Sequence, residues 1–253
     1  MDEKNKYTGM DILDLAQMAP ESVFDEARKI LETLVGYKEL RMMYACALKE
    51  VRTKFEVLDV EFKVRYSRNP INAIHTRLKS NQSILEKMQR RRIPFSLENL
   101  EARIQDVAGV RVICSYVDDI YRLSEALLRQ DDVKLIAQKD YIQQPKPNGY
   151  RSLHLIVRVP VFFADQRRDL PVEVQIRTIA MDFWASLEHQ LKYKQNVPEQ
   201  EAIVEQLRHC AQRVSDLDEE MLAIRRRIEA AEDKPSEDDI LLEKLMRLET
   251  PLE

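Results

Sequence analysis

Apolar residues recur at helical spacing at both ends of the chain. Residues 19–36 and 37–58 show this spacing, and we predict a first helix over about 21–35 that stops at Gly36, followed by a longer one. From residue 179 onward the helical spacing returns. It has breaks near Pro198 and Pro235, and a helical tail is expected over about 236–250.

The middle of the chain shows the alternation of apolar and polar residues that is typical of strands. Five stretches alternate in this way: residues 71–80, 106–116, 133–142, 152–159 and 171–178. The last two are expected to pair across a turn between 160 and 170. Residues 81–92 predict a capped helix ended by Pro94, and residues 118–130 predict a helix that begins with two aspartates. The pattern predicts a single α/β domain over 1–253, with about five strands flanked by helices.

The predicted strands gather basic side chains on one face, because alternate residues of a strand point to the same side. This polar face carries His75, Arg77, Lys79, Arg111, Ser152, His154, Arg158, Glu173, Gln175 and Arg177. For any single strand, the solvated face of an antiparallel sheet is the simpler interpretation. Such a face usually mixes Thr, Lys, Glu and Ser, whereas this one concentrates Arg, His and Lys. That composition favours a phosphate-rich ligand, since guanidinium groups bind phosphate oxygens bidentately.

Two carboxylates could complete a site on this face. Asp106 lies at the entry to its strand, and Glu173 lies on the polar face of another. Each has a plainer interpretation, Asp106 as a turn residue and Glu173 as the partner of Arg177 in a structural ion pair. Mg²⁺ takes one or two carboxylates and fills its other positions with water and substrate phosphates. The joint occurrence of both carboxylates with the basic face favours Mg²⁺ as the cofactor.

Composition restricts the partners and the compartment. The formal net charge of −4 provides no global basic field, so DNA is not an expected partner and any polyanion site must be a local patch. RNA binding stays open. The three cysteines lack metal-binding spacing and are expected to be reduced thiols. No window approaches the roughly 18 apolar residues of a membrane span, and we predict a cytoplasmic protein.

Several enzyme classes lack their motifs in this sequence. The chain has only 4 glycines and contains neither a P-loop nor G-x-G-x-x-G. It also lacks the nucleophile elbow of serine hydrolases. None of the 4 histidines occurs in H-E-x-x-H or beside an aspartate in an H-D pair. We therefore do not expect zinc-dependent or H-D-type hydrolysis.

Four segments together resemble a known family. They read "IQDVAGVRVIC", "KDYIQQPKPNGYRSLH", "VEVQIRT" and "MDFWASLEHQLKYK", and they are similar to the synthetase domain of RelA/SpoT-type alarmone enzymes. The resemblance covers about residues 37–228, and the chain length is similar to that of a small alarmone synthetase. It implies a mixed five-stranded sheet of the nucleotidyltransferase-like synthetase fold, with C-terminal helices.

The resemblance also implies an activity. Such enzymes are GTP pyrophosphokinases, which move the β,γ-diphosphate of ATP to the 3′-hydroxyl of GTP or GDP. The products are AMP and (p)ppGpp, the alarmone of the stringent response, and the reaction requires Mg²⁺. Family members that also hydrolyse the alarmone use a separate H-D domain. This sequence has no such motif, so synthesis without hydrolysis is expected.

The resemblance further implies residue roles. Asp106 and Glu173 would hold Mg²⁺, and Glu173 would also help to deprotonate the 3′-hydroxyl. Arg77 and Arg111 would enclose the adenine of ATP. The ATP phosphates would be bound by Lys79, Ser83, Lys87 and Arg90. The GTP side would be lined by Lys139, Lys146, Asn148, Tyr150, Arg151, His154, Gln175, Arg177 and Glu188.

Tyr150 ends the loop "PKPNGY", and its role is the sharpest expectation. One interpretation packs its ring against the sheet edge, as is common at a strand start. The loop chemistry favours another: two prolines stiffen the approach, and Asn148-Gly149 permits positive φ angles that could turn the ring outward. In the family this tyrosine stacks on the guanine of the acceptor.

Two alternatives to the synthetase function remain. One is a pyrophosphokinase of the same fold with another acceptor, such as GMP, an adenine nucleotide or a tRNA 3′ end. The other is a non-catalytic module that binds a nucleotide or RNA, which intact Asp106 and Glu173 argue against.

Assembly is predicted from a heptad seam. The seam comprises Ile203, Leu207, Cys210, Val214, Leu217, Met221, Ile224 and Ile228. A helix packed on its own domain explains such a seam about as often as a subunit contact does. The resemblance implies a homotetramer.

Overall fold

The computed structural model describes residues 21–66, 68–192, 200–231 and residue 241. The break predicted near Pro198 and, apart from residue 241, the predicted tail at 236–250 lie outside these residues. The helices are α1 (Glu21–Tyr66), α2 (Asn81–Arg90), α3 (Leu97–Arg103), α4 (Val117–Leu128), α5 (Ile179–Lys192) and α6 (Gln200–Ala231). The strands are β1 (Ile71–Leu78), β2 (Ala108–Cys114), β3 (Lys134–Asp140), β4 (Leu153–Phe162) and β5 (Arg167–Thr178).

The five strands form one mixed sheet in the order β1-β2-β5-β4-β3. Strands β2 and β5 run parallel, and every other neighbouring pair is antiparallel. The predicted pairing of the last two strands is confirmed, since β4 and β5 pair from Leu153 with Ile176 to Phe162 with Arg167. Five strands, their flanking helices and the mixed sheet all agree with the sequence-based prediction.

One face of the sheet is covered by α1 and α4, and the core lies there. In α1 the buried side chains form a stripe at helical spacing. A helix that packs on a sheet buries one of its faces, and residues at this spacing share a face. The stripe consists of Leu40, Tyr44, Ala47, Leu48, Val51, Phe55 and Leu58. These side chains pack against the valines, leucines and isoleucines that alternate along β2, β4 and β5. The polar side chains of the same strands therefore face the opposite side.

The predicted helix break at Gly36 is wrong, since α1 runs without interruption from Glu21 to Tyr66. A Cβ atom at residue 36 would lie only 2.8 Å from Cδ1 of Leu97. Gly36 therefore leaves room for the side chain of Leu97 at the start of α3, and it does not end the helix. Sequence reasoning took a glycine that serves packing for a helix stop signal.

Between β1 and β2 the predicted capped helix is confirmed, with an end two residues earlier than expected, and a further short helix was not predicted. Helix α2 is capped by Ser80, whose side chain accepts from the amide of Ser83, and it ends at Arg90, before Pro94. Helix α3 lies in a segment for which the sequence pattern predicted no helix or strand. Its start is capped by Ser96, which accepts from the amide of Asn99. With 7 residues and a single buried side chain, Leu100, it is too short to show a helical period.

Helices α5 and α6 pack on each other beside the sheet. The indole nitrogen of Trp184 in α5 donates to the carbonyl oxygen of Leu207 in α6, over 2.9 Å. Thr178, at the end of β5, donates its hydroxyl to Asp218 of α6 over 2.7 Å. Both helices are thereby attached to the end of β5. Among the helices described, none combines the length and the apolar character that crossing a membrane requires.

Candidate active site

The strand register places one polar row across all five strands. His75 of β1 lies opposite Arg111 of β2, and Arg111 lies opposite Gln175 of β5. Gln175 in turn lies opposite His154 of β4, which lies opposite Lys139 of β3. All five side chains belong to the face that the core helices leave open. The prediction of a continuous polar face is confirmed.

A second row runs beside the first, and a glycine divides it. Arg77 lies opposite Gly109, and Gly109 lies opposite Glu173. Because Gly109 has no side chain, Arg77 and Glu173 face each other across open space. A cavity of about 560 Å³ occupies this region, large enough for a nucleotide. Its walls are formed by His75, Arg77, Lys79, Asp106, Gly109, Val110, Arg111, Glu173 and Gln175.

Asp106 is held at the cavity wall by two lysines. Its Oδ2 atom accepts from Nζ of Lys79 over 2.9 Å and from Nζ of Lys87 over 2.6 Å. Burial raises the pKa of Asp106, but the hydrogen bonds and charges of Lys87 and Lys79 outweigh it, and the net pKa is below its ordinary value. Asp106 is therefore ionised at neutral pH. Its second oxygen, Oδ1, is buried without a hydrogen-bond partner among the described residues.

Glu173 is the second carboxylate of the cavity. Its Oε2 atom accepts from Nε2 of Gln175 over 3.0 Å, and its Oε1 atom is 3.6 Å from Nδ1 of His154. Burial raises the pKa of Glu173, while His154 and Gln175 lower it further than burial raises it. The net pKa lies below its ordinary value. Both cavity carboxylates are thus anionic at neutral pH.

The donor set fits Mg²⁺. Within the described residues, no group of three or more His, Cys, Asp and Glu side chains is placed to hold an ion, which argues against a closed protein cage. Mg²⁺ needs only one or two carboxylates when substrate phosphates and water complete its octahedron. A buried carboxylate oxygen without a partner is costly unless a ligand satisfies it. Oδ1 of Asp106, next to Glu173, meets that description.

Helix α2 extends the basic wall beyond Lys87. Ser83, Lys87 and Arg90 are spaced by four and three residues, so they lie on one helix face. The Ser83 hydroxyl accepts from Ser80 over 2.9 Å, and Arg90 is exposed. The structure therefore brings Lys87 to the cavity and places Ser83 and Arg90 along the same face.

The loop before β4 has a geometry that only glycine permits at one position. Gly149 has φ of 88°, and a Cβ atom there would lie 2.5 Å from Cβ of Ala211 in α6. Asn148 does not share the positive φ that the sequence suggested. Its side chain instead donates to Oε1 of buried Glu188 over 2.9 Å and accepts from the amide of Tyr150 over 3.3 Å. Asn148 and Glu188 are brought together as predicted for one pocket.

Tyr150 is half-buried and does not turn outward as predicted. Its hydroxyl lies 2.9 Å from Nε2 of His154 and accepts from Nη2 of Arg177 over 3.2 Å. Burial raises the pKa of Tyr150 above its ordinary value. Two cations lie over the ring. Nζ of Lys146 is 4.5 Å from the ring centroid of Tyr150 and 4.6 Å from that of Tyr141, and Cζ of Arg177 is 5.5 Å from the Tyr150 centroid. The hydroxyl contacts hold the ring in place at the end of the polar rows.

Arg151 does not line the cavity of Asp106 and Glu173, but lines a second cavity of about 500 Å³ together with Lys146. Its guanidinium donates to the carbonyl oxygens of Gly149 and Ala211, over 3.2 Å and 3.4 Å, and to Oε1 of Gln212 over 2.9 Å. It therefore holds the loop to α6. Strand alternation could not show this, because Arg151 precedes β4. Its partner Ala211 in α6 is 60 residues further along the chain.

Comparison with known proteins shows the family to which this chain belongs. The protein-family model described as the region found in RelA/SpoT proteins matches residues 76–198 of this chain. The GTP pyrophosphokinase YwaC of Bacillus subtilis (strain 168) is 39% identical over 205 residues, which cover 81% of this chain and 96% of YwaC. This chain belongs to the RelA/SpoT family. The sequence-based prediction of a small alarmone synthetase is confirmed.

Solved structures agree with this family assignment. The crystal structure of small alarmone synthetase 2 from Bacillus subtilis is 42% identical, with a TM-score of 0.68, and the match covers 76% of this chain and 98% of that one. Small alarmone synthetase 1 from the same organism, bound to its product pppGpp, is 37% identical with a TM-score of 0.69, again over 76% and 98%. The nucleotidyltransferase-like synthetase fold predicted from the RelA/SpoT motifs is therefore confirmed.

Asp182 contacts Arg111 of the cavity wall, and sequence reasoning missed it. Its Oδ1 atom lies 3.4 Å from Nη1 of Arg111 and 3.4 Å from Nη1 of Arg177. It belongs to the family segment "MDFWASLEHQLKYK", in which only Glu188 was assigned a role. The available signal was its position, five residues after Arg177 in the first turn of a predicted helix.

Proposed function

We propose that this chain transfers the β,γ-diphosphate of ATP to the 3′-hydroxyl of GTP or GDP, making (p)ppGpp and AMP. One observation carries the proposal. Two anionic carboxylates, Asp106 with an unpartnered oxygen and Glu173, line one cavity together with lysine and arginine side chains. Tyr150 contacts the same polar face through His154 and Arg177. This arrangement suits a reaction that depends on positioning and on neutralising phosphate charge, with no covalent intermediate.

The donor side of the site comprises Arg77, Lys79, Lys87, Asp106 and Arg111. Arg77 and Arg111 lie on adjacent strands of the same face, where they can enclose an adenine ring, each contributing a cation–π interaction of about 1–2 kcal/mol. Lys79 and Lys87 would exchange part of their contact with Asp106 for the phosphates. Ser83 and Arg90 continue this basic surface along α2.

Asp106 and Glu173 would hold Mg²⁺, which supplies charge neutralisation for the polyphosphate when it is bound. Oδ1 of Asp106 supports this assignment, because it is buried and lacks a partner among the described residues. Glu173 would also accept the proton of the attacking 3′-hydroxyl. Its lowered pKa keeps it ionised at neutral pH and so able to accept a proton.

The acceptor side comprises Lys139, Lys146, Asn148, Tyr150 and His154. Tyr150 would stack on the guanine, and Lys146 would leave the ring face to meet the acceptor phosphates. Asn148, held by Glu188, would present its amide to the purine edge. Gln175 and Arg177 connect this side to the cavity, because Arg177 donates both to Gln175 and to the Tyr150 hydroxyl.

An acceptor panel tests the proposal. The protein is incubated with Mg²⁺ and ATP labelled in its γ-phosphate, together with GTP, GDP, GMP, ADP or a tRNA. We expect label in the 3′-diphosphate of GTP or GDP, one AMP for each transfer, and no transfer after chelation of the metal. Transfer only to GMP, ADP or tRNA would support the alternative pyrophosphokinase. Nucleotide or RNA binding without any transfer would support the non-catalytic module.

Synthesis without hydrolysis is part of the proposal. It is supported by the sequence, in which none of the histidines stands beside an aspartate in an H-D pair. Purified (p)ppGpp incubated with the protein and Mn²⁺ should therefore remain intact. Release of pyrophosphate from it would contradict this part alone.

We also propose a homotetramer, which the exposed part of the predicted heptad seam supports. Leu217, Met221, Ile224 and Ile228 of α6 are exposed, whereas Leu207 and Val214 pack within the chain. The first turns of α1 expose a further apolar group: Phe24, Ile30, Leu31, Leu34 and Val35. Exposed patches of this kind mark contact surfaces. A monomeric mass at micromolar concentration in light scattering would contradict the assembly.

A further inference from the structure

Asp182 joins two arginines that come from different strands. It lies in the first turn of α5, and its Oδ1 atom is 3.4 Å from Nη1 of both Arg111 in β2 and Arg177 in β5. The start of α5 is fixed by Thr178, whose hydroxyl accepts from the amide of Met181 over 3.1 Å. One carboxylate oxygen in a fixed place thus serves both guanidinium groups.

The described residues offer no substitute for this contact. Asp182 is the only carboxylate among them that lies within ion-pair distance of Arg111 or Arg177. Arg177 is 2% exposed, so water cannot replace a lost partner. The Nε atoms of Arg111 and Arg177 are already buried without hydrogen-bond partners among these residues. Loss of Asp182 would therefore leave the buried Arg177 and the partly exposed Arg111 poorly held.

Arg177 carries the connection onward to the acceptor side. Its Nη2 atom donates to the Tyr150 hydroxyl over 3.2 Å and to Oε1 of Gln175 over 2.6 Å, while Nη1 is held by Asp182. A continuous chain of polar contacts therefore runs from Arg111, which lines the cavity, through Asp182 and Arg177 to Tyr150. Each link is a contact of a charged group, and such contacts are stronger than neutral ones.

We infer that Asp182 is a positioning residue that couples binding of the donor nucleotide to binding of the acceptor nucleotide. The inference rests on the proposed function, in which Arg111 meets the adenine and Tyr150 meets the guanine. A donor nucleotide that orders Arg111 also fixes Asp182 and, through Arg177, the ring of Tyr150. The acceptor then binds a site whose ordering cost has already been met, which is positive coupling.

The test is the variant Asp182→Asn, which keeps the shape but removes the charge shared by the two arginines. GTP and an ATP analogue with a carbon in place of the α,β-bridging oxygen are titrated calorimetrically, each alone and each in the presence of the other. We expect each affinity to fall about tenfold, as for loss of one charge-assisted hydrogen bond. We also expect the factor by which the analogue tightens GTP binding to fall to about one.

Two further variants serve as controls. Asp182→Glu retains the charge and should recover part of both affinities and part of the coupling. Asp165→Asn makes the same chemical change in the exposed turn between β4 and β5 and should leave both affinities and the coupling unchanged. Unchanged affinities and coupling in a folded Asp182→Asn variant would overturn the inference.

A structural role must be separated from a positioning role, since an acidic residue in the first turn also stabilises a helix. Melting temperatures are therefore compared, and the decisive measurement is made in the Arg111→Met background, which removes the cation at this position. If Asp182 acts on the donor through Arg111, Asp182→Asn should cause no further loss of donor affinity there. Additive losses would overturn the inference. Because these titrations need no turnover, they fail or succeed independently of the transfer assay.

Discussion

The donor side and the acceptor side of the cavity are built in different ways. On the donor side, Lys79 and Lys87 reach Asp106 from the end of a strand and from the last turn of a short helix, within 27 residues of chain. On the acceptor side, the loop with Tyr150 is held by Glu188 of α5 and Ala211 of α6. The donor side thus follows from local regular structure, whereas the acceptor side depends on contacts between distant segments. Changes in α6 should therefore affect acceptor binding and spare donor binding.

The largest expected effect lies at the metal-binding carboxylates. Asp106→Asn or Glu173→Gln should reduce kcat by about a thousandfold, the order of loss when a group that stabilises transition-state charge is removed. The protein should remain folded, which its melting temperature checks. Asp132→Asn is the matched control, because Asp132 also pairs with a lysine, Lys54, but outside the cavity. Activity within a few-fold of wild type in either carboxylate variant would refute the assignment of Asp106 and Glu173 as metal ligands.

A substitution at Tyr150 should distinguish the acceptor side from the donor side, because it should lower the affinity for GTP and not that for ATP. Stacking of a base on an aromatic ring contributes about 1–3 kcal/mol, so Tyr150→Ala should lower apparent GTP affinity roughly 5- to 150-fold. ATP affinity should hardly change, because the adenine is placed between Arg77 and Arg111. Tyr150→Phe is the comparison variant: it keeps the ring that stacks and loses only the hydroxyl contacts with His154 and Arg177, so it should lose less GTP affinity than Tyr150→Ala. Calorimetric titration of each nucleotide measures this, and equal losses for ATP and GTP would refute the separation.

A substitution at Gly149 tests whether the contact with α6 determines the conformation of the acceptor loop. Gly149→Ala should lower GTP affinity about tenfold and leave ATP affinity unchanged, because the new Cβ meets positive φ strain of about 1–2 kcal/mol and the Cβ atom of Ala211. Adding Ala211→Gly removes the contact but not the strain, so the double variant should recover GTP affinity in part. Ala211→Gly alone is the control for the lower helix propensity of glycine. A loss of ATP affinity equal to that of GTP would show that the contact with α6 shapes both sides alike.

A separate effect, on stability and not on nucleotide binding, concerns the attachment of α6 at its far end. Asp119 of α4 pairs with Arg68 at 2.6 Å and with Arg225 of α6 at 3.8 Å, and burial raises its pKa to about 6 despite both arginines. A folded-state pKa above the unfolded value of 3.8 means that the stabilising contribution is fully present below pH 3.8 and is lost as pH rises through about 6. By linkage the loss is on the order of 2–3 kcal/mol.

Asp119→Asn removes this titration and provides the measurement. Urea unfolding of wild type and variant is compared between pH 4 and pH 7. The free energy of unfolding of the wild type, relative to the variant, should decrease over this range. Parallel curves would mean that Asp119 does not titrate there. An increase would mean that its pairs with Arg68 and Arg225 outweigh its burial.

Much of the fold and of the donor side could be predicted from sequence. Strand alternation alone placed His75, Arg77, Arg111, Glu173 and Gln175 on one face, and the register confirms it. Alternation is a property of the backbone of each strand, so it needs no knowledge of the rest of the molecule. The residue roles still required the family resemblance, because a polar face by itself does not name its ligand.

The sequence by itself determined the five strands, their polar face and the two carboxylates, because these depend on residues close together along the chain. Only the tertiary structure decided that Gly36 and Gly149 serve close packing, that Arg151 binds α6, and that Asp182 joins Arg111 to Arg177. Each of these is a contact between segments whose approach is set by the packing of whole helices on the sheet. No local pattern encodes that approach, since it depends on how every buried side chain of the core fits together.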